Sequence, residues 1–104
     1  MTNKPKASYA PVYAAMYPEI AEIFRTHGYA LAIHGSLRRD FDLIAVPWIE
    51  KPSKPEDVIA EITKTFSINL IGTGTPKLHG RTAWTISVGW GECFIDLYFM
   101  PVSE

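Results

Sequence analysis

Two acidic side chains separated by one phenylalanine, Asp40-Phe41-Asp42, stand at the mouth of the apolar run Leu43-Ile44-Ala45-Val46. In an extended segment, residues i and i+2 leave the backbone on the same face, so this spacing sets the two carboxylates side by side. About 6 Å apart, at an effective dielectric near 20, they repel by roughly 2–3 kcal/mol. A pair free in water would relax apart, whereas one anchored at a strand end favours a cation between its members. A third acid, Asp96, lies inside Cys93-Phe94-Ile95-Asp96-Leu97-Tyr98-Phe99-Met100. A carboxylate in such a run is expected to be paired or metal-bound. Hard divalent ions take oxygen ligands, and in phosphoryl chemistry they neutralise the charge of a triphosphate. Asp40, Asp42 and Asp96 are therefore the candidate ligands for Mg²⁺ or Mn²⁺ and the candidate catalytic residues. Taken singly, Asp40 could equally cap a turn, and Asp96 could be a charge that guards an edge strand.

These acids need a scaffold, and the periodicities supply one. Val12, Met16, Ile20, Ile23 and Phe24 recur at helical spacing. Pro18 is expected to divide this segment into a short turn and a main helix that it opens, with Arg25, His27 and Gly28 as the stop. Tyr29 to His34 reads as a strand ending at Gly35, and Phe41 to Val46 as a second strand stopped by Pro47. Pro55-Glu56-Asp57 opens a second helix with Val58, Ile59, Ile62 and Phe66 inward. Ile68 to Ile71 reads as a third strand, Gly72 to Gly80 as a long turn, and Thr82 to Trp90 as an alternating strand. Gly91-Glu92 then closes a hairpin into Cys93 to Met100. Residues 1–8 form a polar tail, and residues 9–104 one domain. The fold class is α+β: a mixed, mostly antiparallel five-stranded sheet, two helices on one face, order αββαβββ.

Composition limits the function. The chain has 104 residues, 47% of them hydrophobic, with ten Lys+Arg against eleven Asp+Glu for a formal charge of -1. That balance argues against strong duplex nucleic-acid binding, which needs clustered cations. Arg38-Arg39 is the local exception. Cys93 is the sole cysteine, which excludes an internal disulfide and reads as a buried thiol. The first thirty residues lack a signal-peptide pattern, and no apolar run is long enough to span a bilayer, so a cytoplasmic domain without membrane association is expected. His34 reads as a packed or capping residue, with a phosphate contact as the second reading. Gly72-Thr73-Gly74-Thr75-Pro76-Lys77 lacks the Gly-Lys-Ser/Thr ending of a P-loop and reads as a hairpin end, from which Lys77 could reach a ligand. Trp84, Trp90, Tyr98 and Phe99 read as packing aromatics.

The ordered set Gly35-Ser36, Asp40-Phe41-Asp42-Leu43 and Ile95-Asp96-Leu97 resembles the signature of the DNA polymerase beta-like nucleotidyltransferase superfamily. The minimal nucleotidyltransferases and the antitoxins derived from them are nearest in size. The resemblance implies that Asp40 and Asp42 ligate the metal that holds a nucleoside triphosphate, ATP among the options. It implies that Asp96 completes the metal site and helps to deprotonate an acceptor hydroxyl. Gly35 and Ser36 would cradle the phosphates, with Arg38 or Arg39 balancing their charge. The pattern usually has a turn of helix after the Gly-Ser pair. Here only Leu37, Arg38 and Arg39 intervene, which makes a tight connection and a reduced cradle. Two activities are thus expected as alternatives: nucleotidyl transfer to a hydroxyl acceptor, or a non-catalytic relative acting by binding a protein partner or a second copy of itself. An unrelated small α+β domain is the third.

Overall fold

The computed structural model describes residues 8–89 and 92–102. Helix α1 spans Ala10–Thr26, strands β1 and β2 span Tyr29–His34 and Asp40–Pro47, and helix α2 spans Pro55–Phe66. Strands β3, β4 and β5 follow at Asn69–Pro76, Thr82–Ser87 and Phe94–Phe99. The order αββαβββ is the one expected. Residues 1–7 of the expected 1–8 tail, Trp90, and the Gly91 half of the expected hairpin lie outside the described residues. No helix among the described residues is long and apolar enough to cross a membrane.

Helix α1 corrects one expectation. It runs unbroken through Pro18. Pro18 removes one amide donor, but both it and Ala14, whose carbonyl loses that bond, are exposed to water. Burial of Tyr13, Ile20 and Phe24 along one face holds the helix on both sides of the proline. The inward position is Tyr13 rather than its half-buried neighbour Val12. Helix α2 begins as expected, with Pro55 in its first turn and Glu56 and Asp57 beside the positive end of its dipole. It buries Val58, Ile59 and Ile62, while Phe66 is only partly covered.

The five strands form one sheet in the order β1-β2-β5-β4-β3. The central pair β2 and β5 is parallel, and the other three pairings are antiparallel. Alternation decides which side chains meet the helices. Phe41, Leu43 and Ala45 of β2, Ile95, Leu97 and Phe99 of β5, and Trp84 and Ile86 of β4 are buried in one core cluster with residues of both helices. Phe24, Tyr29 and Phe99 form an aromatic group within it, with centroids 5.1 to 6.4 Å apart. Such pairs add roughly 0.5–1.5 kcal/mol each beyond the area they bury. Cys93 is buried, as expected. The alternate residues of β2, β5 and β4 project from the opposite, helix-free face.

Strand β3 is longer than its composition suggests. The Gly72–Gly80 segment was expected to be a turn, yet pairing with β4 resumes at Thr75 after a register shift between Ile71 and Thr75. Gly74 allows it: a Cβ there would lie 2.4 Å from the Trp84 ring, so only a bare backbone can close over that indole. The real turn is the short Leu78–Gly80 segment. At the other end of the hairpin, β4 stops at Ser87 rather than Trp90. The amide of Val88 still donates to the Cys93 carbonyl, at 3.0 Å.

Candidate functional site

The register carries the site. Across the helix-free face, His34 lies opposite Asp42, Asp42 opposite Asp96, Asp96 opposite Thr85, and Thr85 opposite Ile71. One row perpendicular to the strands therefore joins two candidate acids, a histidine and a threonine hydroxyl. Neighbouring strands are about 4.8 Å apart, which brings Asp42 and Asp96 closer than two acids on one strand. Asp40 precedes Asp42 by two residues, projects from the same face and is exposed.

The electrostatics follow from this crowding. The Asp96 carboxyl is held above the usual carboxylate range. Partial burial is the main cause, followed by the negative charges of Asp40 and Asp42 and a hydrogen bond shared with Asp42. A hydrogen bond with Thr85 acts in the opposite direction. The donor set is all oxygen, the chemistry preferred by Mg²⁺ and Mn²⁺. Among the described residues, however, no group of three or more histidine, cysteine or acidic side chains is arranged to hold a metal ion.

The Gly-Ser turn lies directly against the acids. Gly35 has φ +77°, and a Cβ on it would stand 2.5 Å from Asp42 Oδ2. Its bare backbone is what admits that carboxylate. The next residues form bends and no helix. Leu37 has φ 62° and tucks its side chain against the core. Ser36 Oγ accepts from the Arg38 amide at 3.4 Å, Arg38 is exposed, and Arg39 pairs with Glu92 at 3.3 Å on the surface.

Helix α1 fixes this connection in two places. The Tyr9 amide donates to the Arg38 carbonyl at 2.9 Å, and the Tyr13 hydroxyl donates to the Arg39 carbonyl. Tyr13 also stacks on Phe41, with centroids 4.8 Å apart, so the residue between the two acids is gripped from the core side. Sequence reasoning missed Tyr13. A tyrosine on an apolar helix face was the available signal, since its hydroxyl needs a partner when buried. Thr85 was legible as part of the polar half of the β4 alternation, but its contact with Asp96 depends on pairing.

Two cavities open onto the same face. One, of about 550 Å³, is lined by Asp96, Thr85, Tyr98, Lys77, Thr73 and Thr75 among others. The second, of about 370 Å³, is lined by His34, Ile44, Lys77, Arg81, Tyr98 and Met100. Asp40, Asp42, Gly35, Ser36, Arg38 and Arg39 line neither. His34 is exposed rather than packed or capping, with its ring 6.4 Å from that of Tyr98. His27, by contrast, bridges Ser53 and Glu61 at 2.7 and 2.8 Å, tying the end of α1 to α2. No protein-family model matches the chain, and no curated protein matches it in sequence.

Proposed function

We propose that the chain is a minimal, metal-dependent nucleotidyltransferase, which moves a nucleotidyl group from a nucleoside triphosphate to a hydroxyl acceptor. The observation that carries this reading is the contact of three parts. Asp42 lies in register beside Asp96, and the Gly35 backbone is packed against the Asp42 carboxylate. The αββαβββ order, with an acid pair opening the second strand and a third acid on the last, supports the superfamily resemblance.

In this reading Asp40 and Asp42 hold the cation, and Asp96 completes its oxygen shell. Exposed Asp40 must turn inward for all three to converge. Mg²⁺ or Mn²⁺, when bound, supplies the positive charge that offsets the triphosphate oxygens. The Gly35–Ser36 amides and the Ser36 hydroxyl orient the phosphates, while Arg38 provides an exposed cation nearby and Arg39 a second if it leaves Glu92. Asp96 accepts the proton of the acceptor hydroxyl at a carboxylate oxygen, the role that the superfamily resemblance implies for it.

Calorimetry with Mg²⁺ or Mn²⁺ and each of the four nucleoside triphosphates is the test, on wild type and on Asp40→Ala/Asp42→Ala. Metal-dependent binding is expected in wild type and lost in the variant; its absence from wild type refutes the proposal. One observation favours a second reading, a non-catalytic relative that works by binding a protein partner: no helix follows Ser36 to cradle phosphates. Transfer of label from a nucleotide to an acceptor separates the two.

A further inference from the structure

We propose, building on the nucleotidyl-transfer reading, that Lys77 and Arg81 form a phosphate subsite for the acceptor, which is accordingly a small phosphorylated alcohol. The two residues face each other across the Leu78–Gly80 turn, where the Lys77 amide donates to the Arg81 carbonyl at 2.8 Å. The two like charges flank the turn just beyond the last strand pair, Pro76 and Thr82, and both line the same cavity of about 370 Å³. Neither enters any of the three ion pairs among the described residues, which join Arg25 to Glu22, His27 to Glu61 and Arg39 to Glu92. Arg81 is steadied by donation from its Nε to the Leu78 carbonyl at 3.2 Å. Two unneutralised cations held together over a concave surface suit a dianionic phosphomonoester.

Their position relative to the acids indicates which phosphate this is. Strands β2 and β5 run parallel. Asp40 and the Gly35–Ser36 turn lie toward their starts, whereas Ile44, Tyr98 and Met100, which share the cavity with Lys77 and Arg81, lie toward their ends. Asp42 and Asp96 are therefore between the proposed triphosphate cradle and the cation pair. Lys77 and Tyr98 also line the larger cavity that contains Asp96, so one surface runs from the acid to the cations. Tyr98 follows Asp96 by two residues, a step of roughly 7 Å along the strand. A hydroxyl at Asp96 and a phosphate at Lys77 and Arg81 fit the two ends of a phosphorylated sugar or polyol. A formal charge of -1 offers no extended field for a polyanionic strand, which favours the small molecule.

The test is an amide chemical-shift titration of the full chain with ribose 5-phosphate, and with ribose as control, in metal-free buffer. Shifts confined to residues around Lys77, Arg81 and Tyr98, with none from ribose, are expected. Lys77→Gln, an exposed substitution that leaves the core untouched, should weaken binding roughly tenfold, in line with loss of one charge-assisted contact. Asp42→Asn/Asp96→Asn should retain or tighten it, because nearby negative charge is removed. Unchanged affinity in both Lys77→Gln and Arg81→Gln, or shifts centred on Gly35 to Arg39, would overturn the proposal. So would loss of Mg²⁺–nucleotide binding in Lys77→Gln without any ribose 5-phosphate binding, since the cations would then serve the triphosphate. Ribose 5-phosphate binding in a chain that fails to bind Mg²⁺–nucleotide supports the subsite and removes only the transfer reading.

Discussion

Asp96→Asn should make the protein more stable in the absence of divalent cations. Asp96 has Asp42 as its register partner, and burial with the charges of Asp40 and Asp42 raises its carboxyl pKa. At about 5 Å and an effective dielectric near 20 a single carboxylate neighbour costs roughly 3 kcal/mol. The face is half open to water, and screening reduces the figure to about 1–2 kcal/mol. For a domain of this size that corresponds to a melting temperature higher by roughly 5–15 °C. The amide keeps a hydrogen-bonding group for Thr85, so the substitution removes charge with little change of shape. The pH dependence has a definite sign. An unfolded aspartate loses its proton near pH 3.9, and folded Asp96 at a higher pH. Wild type is therefore relatively stable while the folded Asp96 carries its proton, and it loses that advantage as pH rises through the raised folded pKa. The variant should match wild type in acid and surpass it at neutral pH. Thermal melts followed by circular dichroism in chelator, from pH 4 upward, measure the gap. Added Mg²⁺ should narrow it, because only wild type keeps all three acids. An equal or lower melting temperature for the variant at neutral pH in chelator refutes the crowded-acid account.

Gly35→Ala should lower stability by about 1–2 kcal/mol through its left-handed backbone alone, read from denaturant melts. It should weaken Mg²⁺–nucleotide binding further than stability falls, because the new methyl group would displace the Asp42 carboxylate. Tyr13→Phe removes the hydroxyl that holds the Arg39 carbonyl while keeping the ring stacked on Phe41. A loss of about 1 kcal/mol is expected, with faster amide hydrogen exchange confined to the Leu37–Asp40 connection.

The parts of this protein that repeat along the chain were legible before folding was considered. The i, i+2 spacing placed Asp40 and Asp42 on one face of their strand, and the Pro55-Glu56-Asp57 start of α2 marked itself by a proline and two acids in the first turn. What escaped was set by partners distant in the chain. Pro18 looked like a helix boundary because local rules count the lost amide bond and cannot count the burial of Tyr13, Ile20 and Phe24 on both sides. Gly72 to Gly74 looked like a turn because glycine usually is one; the Trp84 ring that requires Gly74 to be bare lies across the sheet. The acids show the same division. Their types and the spacing of Asp40 and Asp42 were readable, but the apposition of Asp42 with Asp96 exists only through the parallel pairing of β2 and β5.

That central pairing also governs how the molecule assembles. β1 with β2, and β3 with β4, are antiparallel neighbours in both chain and space, and each can form early as a local hairpin. β5 pairs antiparallel with β4, its neighbour in the chain, and parallel with β2; the β2–β5 pairing closes the longest loop between paired strands and joins the β1–β2 hairpin to the rest of the sheet. Pairings of this separation are the slow step of folding. Until β2 and β5 pair, each has a bare edge open to other chains, so the acid row forms only at the step that removes this aggregation hazard. Hydrogen exchange at the β5 amides should accordingly track global unfolding, even while the exposed Gly35–Arg39 connection exchanges by local opening.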